Sequence, residues 1–96
     1  MLRATIVDDI DDLRGADRAP GTITIYRYHG DEIHGVHFIC PCGCGREGYL
    51  PAAGTGHPQQ WVFTQTPQGL TARPSIQQVG GCAWHGWLTD GEWRQC

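Results

Sequence analysis

Three cysteines fall within five residues of this chain, and a fourth lies much further along in a Cys-x-x-His pair. The first group is Cys40, Cys42 and Cys44 in the hexapeptide Cys-Pro-Cys-Gly-Cys-Gly, and the later pair is Cys82 with His85. Thiolates and an imidazole from two separated loops are typical ligands of a tetrahedral metal such as zinc. The spacing therefore predicts a zinc site that joins two loops.

Five ligand candidates compete for the four places of a structural zinc site. Cys82 and His85 lie three residues apart with a glycine behind them, so a tight turn can present both to one ion. From the first loop we expect Cys42 and Cys44, because flanking glycines place this pair at the loop tip. Cys40 with either of them also has metal-ligand spacing. As the surplus thiol, Cys40 is either buried like a small apolar side chain or hydrogen-bonded to a ligand.

Other ligands and bases are weaker candidates. His37 is the nearest alternative ligand, and Cys96 stands beyond any pairing motif. An open zinc site with three protein ligands and Glu47 or Asp90 as base would permit hydrolysis. Four protein ligands leave no place for a metal-bound water, and no Glu follows a ligand in a His-x-Glu motif. The sequence thus argues against an enzyme.

Composition limits the partners and the compartment. All seven basic residues are scattered arginines and the net charge is −3, whereas a nucleic-acid-binding face needs clustered basic residues. We expect no signal peptide, because residues 1–20 carry five Asp and no apolar run, and no stretch approaches the ~20 apolar residues of a membrane span. We therefore expect no nucleic acid, no membrane and a reducing cytoplasm, where clustered cysteines bind metal.

Short alternating stretches predict the secondary structure. The predicted strands lie at residues 2–7, 22–28, 33–40, 47–50, 61–64 and 70–73, with a final hairpin over 87–93 around Asp-Gly. Residues 8–15 predict a turn or one to two helical turns, and 29–31 and 66–69 predict turns. With 96 residues and no long helix pattern, we expect a single all-β domain over residues 1–96.

The second metal loop resembles that of Rieske ferredoxin domains, in the run Cys-Ala-Trp-His-Gly-Trp at 82–87 followed by Asp-Gly at 90–91. Those domains are small, all-β and grip an iron–sulfur cluster between two loops. The first loop departs from theirs, because it holds three cysteines and lacks the Cys-x-His pair. NEET-type proteins are similar in offering three Cys and one His, though their second loop is one residue longer. These resemblances imply the alternative to a zinc site, which is a 2Fe–2S cluster that serves electron transfer or redox sensing.

Most of the chain is similar to a family of small uncharacterised bacterial and phage proteins. The shared features are the hexapeptide at 40–45, Trp61, Pro-Ser-Ile at 74–76, the Cys82/His85 pair and Asp-Gly at 90–91. This resemblance implies a zinc-binding, Rieske-like or zinc-ribbon-like antiparallel sheet. It also implies proteins encoded by phages or mobile elements, some near bacterial ubiquitin-like conjugation genes, and thus host cytoplasm for a phage-encoded member.

A structural zinc module that binds another protein is the function these features favour. The chain has four tryptophans, a residue type enriched in protein interfaces. We expect Trp61 and Trp84 to pack around the metal loops, and Trp87 and Trp93 to be the contact candidates. The identity of the protein partner and the oligomeric state stay open.

Overall fold

The computed structural model describes residues 2–15, 19–27, 30, 32–78 and 82–95. The strands and the helix within these ranges are β1 (Leu2–Arg3), β2 (Ile6–Val7), α1 (Ile10–Leu13), β3 (Ile23–Arg27), β4 (Ile33–Ile39), β5 (Glu47–Pro51), β6 (Val62–Thr66), β7 (Gly69–Gln77), β8 (His85–Thr89) and β9 (Glu92–Gln95). The all-β prediction is confirmed. Among the described residues, no helix has the length and apolar character that a membrane crossing requires.

The strands form two sheets. One has five strands in the order β1-β9-β8-β7-β6, with every neighbouring pair antiparallel. The other has four strands in the order β2-β3-β4-β5, in which β2 and β3 are parallel and the other pairs antiparallel. The two metal-loop segments thus belong to different sheets, because 40–45 follows β4 and 82–84 precedes β8.

The core lies where the inner faces of the two sheets meet. Val36 and Phe38 of β4 and Leu88 and Trp93 of the β8–β9 hairpin are at most 2% exposed and belong to one cluster. The rings of Phe38 and Trp93 lie 5.3 Å apart between centroids, and the Trp93 Nε1–H donates to the Gly21 carbonyl oxygen at 2.8 Å. Trp93, expected as a contact residue, is therefore a core residue.

Local turn chemistry explains the connections. Asp90 and Gly91 adopt φ values of 50° and 77°, as a two-residue hairpin loop requires. Gly69, at the end of the predicted 66–69 turn, has φ 144°. Asp9 caps α1 by accepting a hydrogen bond from the Asp12 N–H at 2.9 Å, which fits the predicted helical turn. Most of the predicted turn at 29–31 lies outside the described residues, as does position 96.

Candidate metal centre and serine–histidine pair

The first thiol loop begins where β4 ends. Cys40 is fully buried, and its N–H donates to the Arg46 carbonyl oxygen at 2.8 Å while its carbonyl accepts from the Gly43 N–H at 3.3 Å. Gly43 and Gly45 have φ values of 95° and 82°, which only glycine adopts without strain. The Cys44 N–H points back at the Cys42 sulfur at 3.3 Å. This curled backbone turns all three thiols towards one point.

Cys40, Cys42, Cys44 and Cys82 form a compact group, called the thiol cluster below. The Cys40 Sγ lies 3.4 Å from the Cys42 Sγ and 3.3 Å from the Cys82 Sγ, and the Cys44 Sγ lies 3.7 Å from the Cys82 Sγ. All four sulfurs lie within 4.8 Å of one another. Zinc–sulfur bonds of about 2.3 Å place tetrahedral thiolates about 3.8 Å apart, so these sulfurs fit around one such ion. The cluster can hold a metal ion.

Hydrogen bonding favours a thiolate at Cys82. The Cys42 thiol, the Trp84 backbone N–H and the Cys40 thiol all stabilise the charged form, and they lower the pKa of Cys82 to about 7. Burial raises the pKa of Cys40, and the interaction with Cys82 raises that of Cys42. Since the thiolate is the form that binds metal, this shift prepares Cys82 for metal binding.

The structure brings all four of these predicted cysteine ligands together and places His85 elsewhere. His85 is not part of the thiol cluster; its Nε2 lies 3.1 Å from the Ser75 Oγ. His37, the alternative ligand, lies on another strand with its ring 4.5 Å from that of Tyr49. The four sulfurs offer enough ligands for a tetrahedral site, so Cys40 can take the fourth place that we expected His85 to fill.

The pairing of β7 with β8 explains why Ser75 and His85 meet. Gln77 pairs with His85 and Ile76 with Gly86, but the next register position pairs Ala72 with Leu88. Three residues of β7, 73–75, therefore face the single residue 87 of β8. Such a bulge redirects side chains and is over-represented next to active sites. Ser75 reaches His85 on the outer face of the sheet because of it.

The surroundings of this pair include an exposed aromatic ring and a cavity. Trp87, two residues after His85 on the same face of β8, stacks on the imidazole at a centroid distance of 6.3 Å and 28°, and it is 41% exposed. A cavity of about 460 Å³ borders His85 but not Ser75; its lining residues are Pro41, Cys42, Cys82, Ala83, Trp84, His85 and Gln95. The thiol cluster and the imidazole thus border one cavity.

The acidic residues considered as bases lie outside this cavity lining. Glu47 accepts hydrogen bonds from the Arg14 Nε at 2.9 and 3.0 Å. The Asp90 Oδ1 accepts from the hydroxyls of Thr66 and Thr71 at 3.3 and 3.4 Å, where it braces two hairpin turns.

Comparison with known proteins decides the family. The model of a family described as "Bacterial ubiquitination-like system serine protease (BubE)" matches residues 7–96. The chain belongs to the BubE family. No curated protein and no solved structure matches the chain. The Rieske-like part of the fold prediction therefore stays a prediction, and the BubE match covers both thiol loops and the Ser75–His85 pair.

Sequence reasoning missed Ser75 as a candidate site residue, although a signal was present. Ser75 is the only serine in the chain, and it lies in the Pro-Ser-Ile segment that carries part of the family resemblance. Its partner His85 was assigned to the metal because Cys-x-x-His is a common ligand spacing. Only the bulge in β7 shows that the two side chains are neighbours.

Proposed function

We propose that this chain is a serine protease of a bacterial ubiquitination-like system, with Ser75 as the nucleophile and His85 as the general base. The observation that carries the proposal is the 3.1 Å separation of the Ser75 Oγ and the His85 Nε2. A nucleophile and a base within hydrogen-bond reach are the signature of covalent catalysis. The BubE description supports a serine enzyme, and the chain contains no other serine.

The reaction follows from this geometry. In the tautomer whose Nε2 is unprotonated, the Ser75 hydroxyl donates to the His85 Nε2. As the Ser75 Oγ bonds to the scissile carbonyl carbon, its proton passes to the His85 Nε2, which then protonates the leaving amine while the C–N bond breaks. Water hydrolyses the resulting acyl-Ser75 ester by the same route, giving a carboxylate and restoring both residues.

Within the described residues, Ser75 and His85 form a dyad without a third, orienting carboxylate. No carboxylate in those ranges hydrogen-bonds to His85, so strand pairing with Gln77 and the ring of Trp87 orient the imidazole. A third polar group normally fixes the histidine in serine proteases. Here packing and the preceding loop take over that task.

The thiol cluster holds a structural zinc ion in this proposal. Four thiolates fill the tetrahedral sphere and leave no position for a catalytic water. The bound ion would supply a cross-link between the loop after β4 and the loop before β8. A two-iron cluster spreads its ligands over two metal ions, whereas these sulfurs gather around one point within 4.8 Å, which favours a single ion over 2Fe–2S.

The partner in this proposal is the protein substrate, which for such a system is a ubiquitin-like protein or its conjugate. Trp87 offers an exposed apolar surface next to His85, suited to contact with a protein chain. The protein-interaction role expected from the tryptophans then becomes substrate binding. Encoding by a phage or mobile element and a cytoplasmic location stay predictions from sequence resemblance.

A cleavage assay tests the proposal. Zinc-loaded protein is incubated with a ubiquitin-like protein of the same system that carries a C-terminal extension, and the fragments are identified by mass spectrometry. Ser75→Ala and His85→Gln should each lower the cleavage rate by at least about 10³-fold, whereas Thr64→Ala on exposed strand β6 should not change it. Cleavage by Ser75→Ala at the wild-type rate would refute the proposal.

A further inference from the structure

The thiol cluster and the catalytic pair meet in one short segment. Cys82, a cluster member, precedes the base His85 by only three residues. We infer that the metal-bound thiol cluster positions His85, so that Ser75 is fully reactive only while Cys82 is anchored. Cys82 is thus a positioning residue for the reaction, and this inference rests on the proposed function.

The first step of the argument is the distance that Cys82 spans. Its sulfur lies 3.3 Å from the sulfur of Cys40, which stands at the end of β4 in the four-stranded sheet. It also lies 3.7 Å from the sulfur of Cys44 in the same thiol loop. A metal ion at this point fastens the segment before β8 to the opposite sheet.

Backbone strain shows that this segment is held from both sides. Ala83 has φ 53°, a left-handed conformation that L-residues with a Cβ rarely adopt. Such strain persists only where the surroundings over-determine the backbone. After Ala83, Trp84 is anchored in the core: its carbonyl accepts from the Gln78 N–H at 2.7 Å, and its ring meets that of Trp93 edge-on at 5.6 Å. Before Ala83, the thiol cluster is the anchor.

The position of His85 at the strand end makes it sensitive to this anchor. His85 is the first residue of β8, and strand ends open more readily than strand centres unless the neighbouring segment is held. Catalysis rests on one contact of 3.1 Å between His85 and Ser75. A misplacement of about 1 Å in such a contact costs about 10²-fold in rate. We therefore expect about a 100-fold loss of Ser75 reactivity when Cys82 is released.

The experiment measures how fast a fluorophosphonate probe modifies Ser75, by intact mass, before and after zinc is removed with a chelator. The expected result is about 100-fold slower labelling of the zinc-free protein, with the near-ultraviolet circular dichroism of the buried tryptophans retained. The His85 ring resonances in the NMR spectrum should shift on zinc removal as well. An unchanged labelling rate in folded zinc-free protein would overturn the inference.

A second variant covers the case in which zinc removal unfolds the chain. Two glycines inserted after Ala83 loosen the tether between Cys82 and His85 while the four thiols stay intact. This variant should bind one equivalent of zinc, keep the fold and label about 100-fold more slowly. The same insertion after Thr55, in the loop that joins β5 to β6, is the control and should label at the wild-type rate.

The outcomes separate the two proposals. Wild-type labelling by the inserted variant with zinc bound overturns the positioning role and leaves the serine protease proposal standing. Wild-type labelling of Ser75→Ala, or no labelling of the zinc-loaded wild type, refutes the protease proposal, and the positioning role falls with it.

Discussion

Replacing Gly86 by Ala tests whether the packing of β8 sets the position of His85. A Cβ at this position would overlap the Arg94 carbonyl oxygen and lie 2.7 and 2.8 Å from two carbon atoms of the Trp84 ring. Neither neighbour can move freely, because Gly86 pairs with Gln95 on β9 and Trp84 is buried. The sheet must therefore shift next to His85.

The size of the effect follows from overpacking. Extra volume in a packed interior typically costs about 1–3 kcal/mol of stability. Because the new Cβ meets a backbone carbonyl oxygen, we expect Gly86→Ala to lose about 3 kcal/mol. For a domain of this size that lowers the melting temperature by about 12 to 24 °C. Total stability is on the order of 5 to 14 kcal/mol, so the variant should still fold at low temperature.

The assay is thermal unfolding by near-ultraviolet circular dichroism in excess zinc, combined with Ser75 labelling well below the melting temperature. Gly15→Ala is the control, because that exposed glycine has only the Asp12 carbonyl oxygen, at 3.2 Å, close to a new Cβ. Its stability should change by no more than about 0.5 kcal/mol. If Gly86→Ala melts within a few degrees of wild type and labels normally, the register described for β8 and β9 is refuted.

Further predictions concern one side chain each. Trp87→Ala should raise KM for the protein substrate about tenfold with kcat little changed, and an unchanged KM in steady-state assays would contradict substrate binding there. Burial lowers the pKa of His37 in the folded protein. The neutral imidazole therefore contributes to stability above the unfolded-state pKa near 6.5, and this contribution is lost as the pH falls through the folded-state pKa. Lowering the pH from 7.5 to 5.5 should therefore reduce the urea midpoint of the wild type more than that of His37→Gln. Equal reductions would contradict a lowered pKa of His37. Trp93→Phe leaves the Gly21 carbonyl unsatisfied and should lose about 1–3 kcal/mol in urea unfolding, whereas wild-type stability would show that the hydrogen bond is dispensable.

Much of the fold could be predicted because local chemistry determines it. The Asp-Gly pair at 90–91 defines a hairpin, and the alternating residues after Pro20-Gly21 define β3. The thiol loop was predictable as a metal loop, since glycine-flanked cysteines have few other uses. The division into two sheets and the parallel β2–β3 pair depend on long-range packing, which short patterns do not encode.

The contact between Ser75 and His85 could not be predicted from the sequence, for a physical reason. Ligand spacing says how close two residues are along the chain, but side-chain direction depends on where a strand starts and on its register. His85 begins β8, and its Nε2 contacts the Ser75 Oγ while its ring is not part of the thiol cluster. Ser75 faces it only because β7 carries two extra residues between its paired positions.

The most direct test of the account is the site of covalent modification by a fluorophosphonate. Peptide mapping of the zinc-loaded protein should find a single adduct on Ser75, and the adduct should be absent from Ser75→Ala and strongly reduced in His85→Gln. An unmodified wild-type protein, or an adduct that persists in Ser75→Ala, would contradict the claim that Ser75 and His85 form a catalytic pair.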